Sequence, residues 1–155
     1  MIATKQDALL KEVLDVNRIV EQVLENINPP AHVTVFVQKN LPPIRYHKVS
    51  LLQVFQNLIG NAVKYMDKPN GEIKVGFSKQ NTHYLFSVRD NGPGIAEDSS
   101  ERVFNLFEKA HSGTAESTGI GLSIVKRIVE ENNGRVWVES EVGVGSTFYF
   151  TIPLT

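Results

Sequence analysis

The chain has 155 residues, 41% hydrophobic and 21% charged, a composition that fits one globular domain with enough apolar material for a real core. A formal net charge of −1 gives no electrostatic reason to expect a nucleic-acid surface, and the absence of cysteine removes disulfides, thiolate nucleophiles and thiolate zinc sites together. The opening MIATKQDALL lacks the apolar centre of a signal peptide, and no apolar run approaches the ~18 residues of a membrane span, so a soluble domain without membrane contact is expected.

From residues 6 to 26, apolar side chains recur at Leu9, Val13, Val16, Val20, Val23 and Ile27. That is the spacing of a one-faced helix, and Pro29-Pro30 ends it. VTVFVQ, residues 33 to 38, reads as a strand, after which NLPPI breaks the chain. Residues 48 to 66 predict a second helix. At about 100° per residue, Ser50, Gln53, Asn57, Asn61, Lys64 and Lys68 fall on one polar stripe, opposite Leu51, Leu52, Phe55, Leu58, Ile59, Ala62 and Met66.

DKPNG is a turn, and the strands 72 to 78 and 83 to 89 then form an antiparallel hairpin through QNT. Residues 90 to 115 are rich in Gly, Ser and charge around one apolar knot at 103 to 107, and a loop of that length is usually functional. A third helix opens at Thr118 and stops at Asn133-Gly134. Strands 135 to 140 and 146 to 152 flank the turn EVGVG as a second hairpin. This order predicts an α/β two-layer sandwich: three helices on one face of a mixed, mostly antiparallel sheet of about five strands, in a single domain.

Within this frame QNLIGNAVKY is unusual. Two Asn and a Gly inside one helix each cost up to ~1 kcal/mol relative to Ala. The stripe is either a solvated face or a wall that needs short neutral amides, whose carbonyl oxygen can ligate a hard cation. DNGPGI, residues 90 to 95, is either an ordinary turn or a strand-end carboxylate beside glycines that admit a flat ligand. Such an Asp would accept from the exocyclic amine of adenine and reject guanine, which presents a carbonyl there. STGIGLSIV, residues 117 to 125, is either a Thr-capped helix start or a turn whose free N–H groups face a phosphate. It is neither a P-loop, since no GxxxxGK[ST] occurs, nor a dinucleotide fingerprint, since the third glycine is missing. EVGVGSTFYF reads as a hairpin turn.

Taken in order, these stretches resemble the catalytic ATP-binding domain of bacterial sensor histidine kinases, within the GHKL ATPase superfamily, in wording closest to phytochrome-like kinases. LLQVFQNLIGNAVKY resembles the N box, DNGPGI the first glycine box, ERVFNLFEKAH the phenylalanine box, and STGIGLSIVKRIVEENNGRVWVESEVGVGSTFYFTIP the second glycine box with its closing strands. The resemblance covers residues 49 to 153. It implies a Bergerat-type fold with a mobile ATP lid at residues 108 to 117, anchored by Phe104 and Phe107.

The resemblance further implies Mg²⁺ and ATP as cofactor and substrate, with Asn61 as the metal ligand. Asn57 and Lys64 would stand nearest the phosphates as catalytic residues, and Tyr65 would lie along the nucleotide. Asp90 would accept from the adenine amino group, while Gly92, Gly94 and Ile95 shape the adenine wall and Thr147 reaches the adenine edge. Thr118, Gly119, Ile120, Gly121 and Leu122 would form the phosphate-facing turn. Two departures from the family pattern stand out: Lys109 replaces an Arg fork with a point charge, and Ser117 replaces the leading glycine of the second glycine box.

Hydrolytic relatives in the superfamily keep a Glu where this chain has Asn57, and an amide cannot act as a general base. That favours transfer to an acceptor over hydrolysis. His32, His47, His83 and His111 all lack the family's H-E-x-[RK]-x-P acceptor context. The acceptor is therefore expected on an upstream dimerisation and phosphoacceptor domain, reached through the first helix at residues 1 to 27. A response regulator is the next partner, the location is cytoplasmic, and the chain alone is not expected to autophosphorylate. An anti-sigma-factor-type serine kinase and a nucleotide-sensing module without transfer remain the competing readings.

Overall fold

A computed structural model of the chain describes residues 10–99, 102–104 and 116–154, with the side chains at 98, 102 and 116–120 outside that description. Its seven strands are β1 (Glu12–Asp15), β2 (Val33–Val37), β3 (Pro43–Tyr46), β4 (Gly71–Lys79), β5 (His83–Asp90), β6 (Val136–Glu141) and β7 (Gly145–Pro153). The helices among these residues are α1 (Val16–Ile27), α2 (Lys48–Lys64) and α3 (Glu116–Glu131). Five strands form one sheet in the order β2-β4-β5-β7-β6; β2 runs parallel to β4, and every other pair is antiparallel. The expected two-layer α/β sandwich with a mixed five-stranded sheet and three helices is the fold observed.

Register decides which side chains form the core. Ile73, Asp90, Ser146 and Ser140 share one row across four strands, and Val75, Val88, Phe148 and Val138 share the next. Side chains alternate between faces along each strand, so both rows face the helices, as the burial of Ile73, Val75, Val88 and Phe148 shows. Phe55 of α2 meets Phe86 at 6.1 Å and Phe150 at 5.4 Å, both edge-on, while Phe86 and Phe150 stack at 5.3 Å. This aromatic cluster pins α2 to the middle of the sheet and so fixes where its polar stripe can point.

The first helix is shorter than its apolar spacing predicts. Residues 12 to 15 are strand, and α1 begins only where the Asp15 carboxylate accepts from the Arg18 N–H at 3.4 Å. Val13, a member of the predicted helical stripe, is 66% exposed, whereas its neighbour Leu14 is buried. The cause is tertiary: β3, which the reading of NLPPI as a plain break missed, pairs with β1 and offers Ile44 and Tyr46 to bury Leu14. Asn17 then holds the β2–β3 connection, donating to the Gln38 carbonyl at 3.1 Å and accepting from the Leu41 N–H at 2.9 Å.

The other boundaries move less. α2 stops at Lys64 and not Met66, and α3 opens at Glu116, two residues before Thr118. Asn28 and Asn133 take left-handed backbone at the two predicted helix stops. Phe104, in a short 3-10 turn over Arg102–Phe104, is buried edge-on against Phe148 at 5.9 Å. Phe107, Lys109 and most of the expected lid lie outside the described residues.

Candidate functional site

The polar stripe of α2 divides by position. Asn57 lies against the opening of α3: a Cβ built on Gly121 would fall 3.0 Å from Asn57 Oδ1 and 3.3 Å from its Cγ. Gly121 is therefore the residue that lets α3 run this close to α2. It is the sixth residue of the helix, so its N–H lies inside the helical ladder and not among the free amides of the first turn. The sequence reading gave Gly121 an amide for phosphate; the structure gives it room for Asn57. Leu122 is buried in the core. Thr118, Gly119 and Ile120 lie in the first turns of α3.

One turn beyond Asn57, the Oδ1 atom of Asn61 is buried with no hydrogen-bond partner among the described residues. An unpaired buried carbonyl costs about 1–3 kcal/mol. Lys64 ends the helix, exposed, with its ammonium 5.6 Å from the ring centre of Tyr65. Tyr65 caps α2 by donating its N–H to the Asn61 carbonyl at 3.2 Å.

Asp90 occupies the last position of β5, on the core-facing row. Its carboxylate therefore projects into the mouth between sheet and helices, half-buried. Oδ1 accepts from the Gly92 N–H at 2.9 Å and from the Ser146 N–H at 3.3 Å. Burial pushes the Asp90 carboxyl above the usual carboxylate range. The two N–H donors and the Lys68 ammonium work against that shift, and Asp67 adds to it. Lys68 Nζ also donates to the Gly92 carbonyl at 3.0 Å, so the turn after α2 grips the glycine loop.

The far side of that loop is fastened to the β6–β7 hairpin. Gly94 has φ +78°, and a Cβ there would overlap the Glu141 carbonyl, 2.7 Å from its carbon. Gly145, at φ +144°, likewise passes against the Asp90 carbonyl. The Gly143 N–H donates to the Pro93 carbonyl at 2.7 Å, and the Ile95 N–H to Ser140 Oγ at 2.6 Å. Ser140 Oγ also lies 2.8 Å from Ser146 Oγ. EVGVG is thus a hairpin turn, as expected, and also the platform that sets the wall formed by Gly92, Gly94 and Ile95.

Three residues of this assembly escaped the sequence reading. The Asn91 carbonyl oxygen accepts from the Glu72 N–H at 2.7 Å and its amide donates to the Asn70 carbonyl at 3.1 Å, tying β5 to the start of β4. Lys68 belongs to the polar stripe, but its spacing assigns it no task. Ser146, not Thr147, stands beside Asp90. Thr147 pairs with Arg89 and Glu139 on the opposite face of the sheet, away from the helices. The alternation Ser146, Phe148, Phe150, Ile152 carried that signal: counting back by twos from the buried aromatics puts Ser146 on the inner face.

The sequence pattern of the family described as "Histidine kinase-, DNA gyrase B-, and HSP90-like ATPase" matches residues 46–155. Cyanobacterial phytochrome A of Nostoc sp. is 38% identical over 95% of this chain, which spans 20% of that relative. Sensor protein kinase WalK of Staphylococcus epidermidis is 33% identical over 96% of this chain, which spans 26% of it. Among solved structures, full-length ShkA in complex with AMPPNP superposes with a TM-score of 0.78 at 32% identity, covering 94% of this chain and 31% of ShkA. The chain thus spans about a fifth of the phytochromes that it matches.

Proposed function

This chain belongs to the histidine kinase-, DNA gyrase B- and HSP90-like ATPase family, and on that premise we propose that it binds Mg-ATP in the mouth between α2 and the Asp90 loop. It donates the γ-phosphate to a histidine on a separate dimerisation domain of a longer sensor kinase. The observation that carries this reading is the Asp90 carboxylate, held half-buried at the open end of the core. Both backbone donors reach Oδ1, so Oδ2 is the oxygen left to an exocyclic amine. A carboxylate that accepts there favours adenine and opposes guanine, whose carbonyl would face it with no proton between them.

The buried, unpaired Asn61 Oδ1 fits a hard cation, which takes oxygen ligands. Among the described residues no group of three or more His, Asp or Glu could hold a metal alone. A cation at Asn61 is therefore expected to share its shell with phosphate oxygens, and Mg²⁺ bound there supplies neutralisation of their charge. Lys64 serves the same phosphates as a mobile point charge at the helix end.

Asn57 holds its neutral amide against α3, and an amide cannot deprotonate a water, so ATP persists until an imidazole nitrogen arrives in line. The bond from the γ-phosphorus to the β,γ-bridging oxygen then breaks, an N–P bond forms, and ADP leaves. A response regulator would take the phosphoryl group next. No helix among the described residues is long and apolar enough to cross a membrane, and we place the domain in the cytoplasm.

Thermal-shift titration with ATP, ADP and GTP, each with and without Mg²⁺, tests the reading. Stabilisation by ATP and ADP that Mg²⁺ strengthens, with GTP far weaker, is the expected result. Equal binding of GTP removes the role given to Asp90, and no nucleotide binding removes the proposal. Transfer is tested by mixing the chain and Mg-ATP with the dimerisation domain of its parent protein and detecting acid-labile phosphohistidine.

A further inference from the structure

The outer face of the sheet, away from the three helices of the described residues, carries an arrangement that the nucleotide site does not use. Antiparallel pairing sets Lys74 opposite Arg89, parallel pairing sets Phe36 beside Lys74, and Thr147 continues the row past Arg89. In the next row Gly76 pairs with Ser87 and Ser87 with Tyr149. These side chains point outward because Val75, Val88 and Phe148, their strand neighbours, fill the core. The result is a basin of about 420 Å³ lined by Phe36, Gln38, Gly76, Ser87 and Tyr149, with Lys74 and Arg89 along one side; Gln38 Oε1 lies over Gly76, where it accepts from the Phe77 N–H at 3.1 Å.

Two features of the basin ask for an occupant. Like charges directly opposite on paired strands repel, and no carboxylate among the described residues comes within 4 Å of either one; the ion pair found among those residues is Lys68–Asp67, outside the basin. Glu72 and Glu139 border the adjoining hollow with Lys74 and Arg89 yet stay beyond that distance. Phe36 is also left 49% exposed. The Tyr149 side is rigid: Tyr149 stacks on Trp137 at 5.3 Å and 20°, and the Arg135 guanidinium covers Trp137 at 5.0 Å. A flat ring laid against Phe36 or Tyr149, which stand on strands separated by β4 and β5, would bring an anion on that ring to the cation pair and neutralise it.

We propose that this basin is a second ligand site, on the opposite face of the sheet from Asp90, and that it takes a small aromatic anion: a planar ring bearing a carboxylate or a phosphate. Lys74, Arg89 and Thr147 also border a hollow that Asp90 and Ser146 line, yet the site does not depend on the nucleotide reading, since Asp90 and Ser146 lie on the core-facing row and the basin on the outer one.

The test is an NMR titration of the ¹⁵N-labelled chain with phenyl phosphate, benzoate and, as a neutral control, benzyl alcohol, alongside the fluorescence of Trp137, the one tryptophan in the sequence. Saturable shifts at the amides of Lys74, Gly76, Ser87 and Arg89, with binding of both anions at least about tenfold tighter than of the alcohol, are expected. Lys74→Gln and Arg89→Gln should each weaken the anions by about tenfold while leaving the alcohol unchanged. Both residues are solvent-exposed, so the variants keep the fold, which an unchanged thermal midpoint verifies. The absence of saturable shifts at these amides, shifts confined to residues 90–95 and α2, or equal binding of the alcohol would each overturn the proposal.

Discussion

Gly94→Ala is the sharpest perturbation of the loop that carries Asp90, and Gly143→Ala is its internal control. Both glycines hold left-handed backbone, at φ +78° and +84°. They differ in surroundings: a Cβ at Gly143 meets nothing within 4 Å, whereas one at Gly94 overlaps the Glu141 carbonyl and lies 2.9 Å from Val142 Cα. Both obstacles are backbone and cannot rotate away. Left-handed backbone costs an alanine about 1–2 kcal/mol, and overpacking adds about 1–3 kcal/mol. Gly143→Ala should therefore lose about 1–2 kcal/mol and Gly94→Ala about 2–5 kcal/mol.

At roughly 2–4 °C per kcal/mol for a domain of this size, the second variant melts about 4–20 °C lower. Urea unfolding followed by circular dichroism measures both losses, and ATP titration measures the consequence for the site. Gly94 lies between the hydrogen bonds Gly143 N–H to Pro93 and Ile95 N–H to Ser140, so its displacement also shifts Asp90 and weakens ATP. The reasoning fails if Gly94→Ala is no less stable than Gly143→Ala, or if it is destabilised yet binds ATP with unchanged affinity.

Three further outcomes are expected. Asn61→Ala should abolish the Mg²⁺-dependence of nucleotide affinity and yet lower stability by less than about 1 kcal/mol, since it removes an acceptor that is buried without a partner; equilibrium unfolding and titration with and without EDTA would check both halves. The raised Asp90 carboxyl means that, between its ordinary and its raised pKa, the folded state binds more protons than the unfolded state. Its contribution to stability is thus greatest below the ordinary carboxylate range and falls as pH rises through the raised value. Melting midpoints of wild type and Asp90→Asn across that window should diverge in this sense; a difference that is flat with pH contradicts it. Asn91→Ala loses the hydrogen bonds to Glu72 N–H and the Asn70 carbonyl, and should cost about 1–3 kcal/mol in urea unfolding, with faster amide exchange at Glu72.

Much of the fold was legible because its signals are local. The apolar phase of α2, the strand alternation of β4, β5 and β7, the Pro29-Pro30 stop of α1 and the Asn133-Gly134 stop of α3 all follow from the backbone geometry of neighbouring residues. What failed were assignments that depend on a distant partner. Leu9 and Val13 continue a helical stripe in the sequence, yet β3 captures residues 12 to 15 as a strand, and no periodicity within that segment could announce it. The site divides in the same way: Asp90 and Asn61 stand out by residue type and spacing, whereas Lys68 and Asn91 act through bonds to Gly92, Glu72 and Asn70 that only folding creates.

The sequence by itself determined the helices and strands of the main layers, their order and the residue types available to a ligand, because propensity and periodicity are properties of a chain segment, whereas the β1–β3 pair needed its partner. The tertiary structure decided which of those residues meet. Sheet register turned Ser146 toward Asp90 and Thr147 to the outer face, and helix packing made Gly121 a seat for Asn57. A shift of one residue in register reverses every side chain on a strand, so proximity in the site is fixed by pairing and packing and cannot be read from spacing along the chain.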